Sequence, residues 1–111
     1  MATKRQHSEQ WLDGAIHHVE LLCKQSAECP DEYVAPADAT LKSAIELMNQ
    51  LQLAQSPSIA LTQDGEIVLT WEHAGDRYKA IVRSSGSVAL YQNKKTIALG
   101  VFVRRLTAVP A

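Results

Sequence analysis

Aromatic side chains are scarce in this 111-residue chain: two Trp, three Tyr and one Phe. So few rings argue against a sheet that reads single-stranded nucleic acid by stacking bases on exposed aromatics. Cysteine is rarer still. Cys23 and Cys29 are spaced C-x5-C, which is neither a redox C-x-x-C nor half of a usual zinc pair. Two such thiols are expected to stay reduced in a cytosolic protein. The five glycines are scattered, so no glycine-rich loop cradles a phosphate. No stretch approaches the roughly 20 apolar residues of a membrane span. The polar start Met1–His7 is not followed by the apolar region of a signal peptide, and a cytoplasmic location is expected.

Acidic residues are missing from the last third. Residues 1–76 hold all 12 acids and four bases, a balance of −8. Residues 77–111 hold seven bases and no acid, a balance of +7 that the overall charge of −1 conceals. Such asymmetry raises the question of a nucleic-acid surface. Lys79, Lys94, Lys95, Arg104 and Arg105 are the candidate contacts, since Arg77 and Arg83 find acids opposite them in the register below.

What is present is strong alternation over Pro57–Tyr91, interrupted at Asp64-Gly65, Ala74-Gly75 and Ser85-Gly86. A three-residue loop at Gln63-Asp64-Gly65 pairs Leu61 with Ile67 and Ile59 with Leu69, apolar against apolar. A loop one residue shorter would throw those side chains onto opposite faces. The Ala74-Gly75 turn pairs Trp71 with Tyr78, Leu69 with Ala80, Ile67 with Val82, Glu72 with Arg77 and Glu66 with Arg83. Ser84-Ser85-Gly86 pairs Val82 with Val88 and Ala80 with Leu90, and an Asn93-Lys94 turn brings Ile97 beside Leu90 and Leu99 beside Val88. Every hairpin selects the same inner face.

Ahead of the meander, Trp11, Leu12, Ala15, Ile16, Val19, Leu22 and Cys23 recur at three- and four-residue steps and predict a helix over 8–27. Ser8 suits its N-cap, with Thr3 and Gln6 as an earlier start. Pro30 ends it, and Tyr33 and Val34 in the linker are expected to tuck against the core. Leu41, Ala44, Ile45, Met48 and Leu51 predict a second helix over 37–53, with Pro36 and Asp38 at its start. The strands are expected at 58–62, 66–73, 77–83, 87–92 and 96–105. The last is assigned on its β-branched residues, with a bulge or bend at Gly100. The expected fold is therefore α+β: a single domain of two N-terminal helices packed on one face of a five-stranded antiparallel β-meander.

The string Pro57-Ser58-Ile59, Asp64-Gly65-Glu66-Ile67-Val68-Leu69-Thr70-Trp71, Gly75 and Tyr78 resembles a pattern in small prokaryotic proteins, several from mobile elements. The resemblance names no activity and carries no site residue.

Catalytic chemistry finds no foothold. His17 and His18 project about 100° apart on a helix and do not share a metal. His17, Cys23 and Cys29 fall on different helical faces, and His73 is expected to be a solvated turn residue. Cys23 lies on the apolar stripe, and no serine sits in a G-x-S-x-G elbow. Neither a metal, a cofactor nor a small-molecule substrate is expected, and the chain reads as a non-enzymatic interaction or regulatory protein. An antitoxin or a phage-encoded inhibitor of a host system is the kind of role envisaged, and nucleic-acid binding is the alternative. The expected interface is the outer sheet face, where Val68, Ile81, Ala89 and Ala98 form an apolar row flanked by Lys79 and Tyr91. A homodimer is the commonest way to cover such a surface, unless Val101–Leu106 folds back over it.

Overall fold

A computed structural model describes residues 3–108, with side chains from Trp11 to Ala108. Helix α1 (Thr3–Ala27) and helix α2 (Asp38–Gln50) precede a five-stranded sheet. Its strands are β1 (Ser58–Leu61), β2 (Ile67–His73), β3 (Asp76–Val82), β4 (Val88–Gln92) and β5 (Lys95–Thr96), and helix α3 (Leu99–Thr107) closes the chain. The strands lie in sequence order, each antiparallel to the next.

The register matches the alternation. Ile59 pairs with Leu69, Leu61 with Ile67, Trp71 with Tyr78, Ile67 with Val82, Ala80 with Leu90 and Val82 with Val88. The turns are fixed by left-handed backbone: Gly65 at φ 82°, Gly75 at φ 82° and Gly86 at φ 87°. Gly65 is required twice over, because a β-carbon there would meet the carbonyl oxygen of Val34 at 3.1 Å.

The fifth strand differs from expectation. It stops at Thr96 after pairing Tyr91 with Thr96 and Gln92 with Lys95. The Ile97 N–H still donates to the Leu90 carbonyl at 3.0 Å, but Ala98 then caps a helix, and Leu99 never reaches Val88. Gly100 sits in the first turn of α3, not in a bulge. The cause is tertiary. Phe102 and Leu106, four apart, are buried, and Phe102 stands edge-on to both Trp71 and Tyr78 at ring separations of 5.6 and 5.8 Å. A helix stacks the two side chains one turn apart, about 6 Å along its axis, and so delivers both to one pocket, whereas a strand would put them on one face but roughly 13 Å apart. Arg104 and Arg105 in its last turn complement the helix dipole.

One core lies between the sheet and the helices. Leu12, Ala15 and Val19 of α1 and Ala44, Leu47 and Met48 of α2 are buried against Ile67, Leu69, Trp71, Tyr78, Ala80 and Val82. Helix α1 lies over β1, α2 over β2 and β3, and α3 over β4. Buried Thr40 donates its hydroxyl to the Arg83 carbonyl at 2.9 Å and ties α2 to the end of β3. The two indole N–H groups seize successive carbonyls of the α2–β1 linker: Trp11 donates to Ala54 at 2.8 Å and Trp71 to Gln55 at 2.9 Å.

Two smaller expectations change. Helix α1 begins at Thr3, nearer the earlier of its two expected starts, so Ser8 is inside it; the side chains of Thr3, Gln6 and Ser8 lie outside the described residues. Tyr33 and Val34 are exposed, at 37% and 60%, instead of tucked into the core. Their segment runs along the first hairpin loop, where the Val34 N–H donates to the Gln63 carbonyl at 2.9 Å. Backbone pairing holds it and leaves its side chains outward.

Candidate functional site

All three helices cover one face of the sheet, so its other face is open among the described residues. The ladder places that face in rows. Ala60 pairs with Val68, Val68 with Ile81 and Ile81 with Ala89, one apolar row across four strands. The next row is Ser58, Thr70, Lys79 and Tyr91, extended by Thr96 on β5. Beyond it stand Glu72 and Arg77, an ion pair at 3.3 Å whose side chains are 74% and 67% exposed. Val68, Ile81, Ala89 and Tyr91 are half-buried, and Lys79 is exposed.

Two hollows flank the β2–β3 seam. One of about 500 Å³ is lined by Arg77, Lys79, Ile81, Tyr91, Asn93 and Lys94. The other, of about 630 Å³, includes Ser58, Thr70 and Glu72. The Asn93 end of the first is tied by hydrogen bonds: Asn93 accepts the Arg77 N–H at 3.0 Å and donates to Asp76 at 2.7 Å, and Gln92 donates to Asp76 at 3.1 Å. Arg77, read from sequence as the cross-strand partner of Glu72, and Asn93, read as a turn residue, were not foreseen as lining a hollow. Their signal was the turn chemistry of Asn93, whose φ of 50° and that of Lys94 at 72° suit a two-residue hairpin loop.

The structure gathers Val68, Lys79, Ile81, Ala89 and Tyr91 on this face and removes Ala98, which is the N-cap of α3. Val101–Leu106 does not cover the row, because α3 belongs to the helical layer. The five candidate nucleic-acid contacts are also divided. Lys79 and Lys94 border the outer hollow. Lys95 is opposite Gln92, in the row of inward-facing Tyr78, and Arg105 donates to the Gln92 side chain. Arg104 is on α3 in the opposite layer.

Groups suited to chemistry are dispersed. Among the described residues no three His, Cys, Asp or Glu side chains gather around a point able to hold a metal. Burial, and then the nearby Glu20 carboxylate, push the half-buried Cys23 thiol above its ordinary range, away from a nucleophilic thiolate. His73 is half-buried, not fully solvated, with Nε2 3.0 Å from the Ala108 carbonyl oxygen at the end of α3. No helix among the described residues is long and apolar enough to cross a membrane. No protein-family model, curated protein or solved structure matches the chain.

Proposed function

We propose that this chain is a small non-enzymatic interaction protein of the cytoplasm, and that its partner is a second copy docked on the outer sheet face. The observation that carries this reading is the open apolar row Ala60–Val68–Ile81–Ala89, which no helix covers. Solvated antiparallel faces normally turn polar residues outward, and a contiguous apolar patch marks an interaction site. Nucleic-acid binding has less support, because it needs its cations on one surface and these are divided between two layers.

Light scattering tests the reading. Ile81→Glu should halve the measured mass while circular dichroism stays that of a folded protein. A wild type that is monomeric at high micromolar concentration overturns self-association. Retention on heparin at low salt, with elution that shifts as salt rises, would favour nucleic acid instead.

A further inference from the structure

We infer that the outer face is self-complementary about a two-fold axis parallel to the strands and lying along the β2–β3 seam. The inference rests on the docking reading above and specifies its geometry. A two-fold interface requires that residue i of one copy meet residue j of the other while j meets i. An axis along this seam exchanges β2 with β3 and β1 with β4, so each row of the sheet is laid on itself in reverse. The rows can therefore be checked one by one.

The apolar row reads Ala60, Val68, Ile81, Ala89 from β1 to β4. Reversed, it is again small, large, large, small, so Val68 meets the partner's Ile81 and Ala60 meets the partner's Ala89. The next row sets the bulky Tyr91 above Ser58 of the partner subunit, at the hollow beside Thr70. Charge gives the independent argument. Outward positions on β2 end in Glu72, and those on β3 carry Arg77 and Lys79. One step past the ladder, Glu66 precedes β2 and Arg83 follows β3. The β2 column is thus acidic and the β3 column basic, and the axis lays each on the other. An axis perpendicular to the strands would instead lay β2 on β2 and β3 on β3, basic against basic. Aligned packing of two sheets about 10 Å apart accommodates the favoured arrangement.

The test uses full-length chains carrying opposite charge reversals. In Glu72→Lys both facing positions are basic, and in Arg77→Glu both are acidic. Each variant alone should self-associate at least about tenfold more weakly than wild type, because like charges are brought face to face. An equimolar mixture should recover the dimer as a heterodimer in native mass spectrometry, since every facing pair is then opposite in sign. Both side chains are largely exposed, so circular dichroism should stay native. If a reversal unfolds the chain, mixing Glu72→Gln with Arg77→Gln supplies the test, because only their heterodimer keeps one Glu72–Arg77 facing pair: heterodimer above the statistical half supports the axis and a statistical mixture overturns it. Single variants that associate like wild type, or a mixture that stays monomeric, overturn the axis. If Ile81→Glu still breaks the dimer in that case, the docking reading stands and only its geometry falls. A monomeric wild type removes both.

Discussion

The two faces of the sheet are made from the same strands, residue by residue in alternation, yet they carry different kinds of information. On the inner face Ile67, Leu69, Ala80 and Val82 are wholly buried, and Trp71 and Tyr78 nearly so. One step along the chain, Val68, Ile81 and Ala89 are only half-buried, and Lys79, Arg77 and Glu72 are exposed. The inner face is committed to folding, where any lost volume leaves a cavity. The outer face is less buried, and it is there that the proposed docking would act. Positions where alternation should have produced polar side chains and did not are where a docking surface is best sought.

That contrast breaks first at Trp71. Trp71→Ala removes a fully buried ring and the hydrogen bond to Gln55, and should cost roughly 3–5 kcal/mol in a denaturant titration. A melting point within a degree or two of wild type would mean that the inner face is not where stability resides. Phe102→Ala sharpens the comparison at the edge of the core. It deletes the side chain that meets both Trp71 and Tyr78, and about 3 kcal/mol is expected, the low end of the same range, because a helix of nine residues relaxes more readily. An unchanged stability would show α3 to be an ornament of the fold. On the outer face Glu72→Gln should alter the stability of dilute, monomeric protein by less than about 1 kcal/mol, as exposed ion pairs do. A larger loss at that dilution would make Glu72 part of the fold and blur the distinction between the faces.

The meander was legible because local and tertiary signals agree there. Gly65, Gly75 and Gly86 all occupy left-handed backbone, and each turn they form brings apolar residues into register on one side. Helix α3 was not legible, for the opposite reason. Val101, Val103 and Thr107 favour a strand, and Gly100 weakens a helix. The spacing of Leu99, Phe102, Val103 and Leu106 was the competing helical signal, and it prevails because the pocket between Trp71 and Tyr78 accepts Phe102. The candidate site divides along the same line. Its residues on β2, β3 and β4 follow from register, whereas Ala98, Arg104 and Arg105 fell in a strand that turns into a helix, and Lys95, chosen for its charge, pairs with Gln92 in the row of inward-facing Tyr78. Exposed Tyr33 and Val34 were misjudged because hydrophobicity alone does not reveal a segment held by its backbone.

The two indoles clamped on neighbouring carbonyls of the α2–β1 linker make the protein its own optical gauge. Every tryptophan in the chain reports on that joint, and none lies on the outer face. Unfolding should therefore shift the emission of both rings toward the red as water reaches them, while docking on the far side of the sheet should move it far less, since buried Trp71 only borders the hollow beside Thr70. A single cuvette can then separate loss of the proposed docking from loss of the fold.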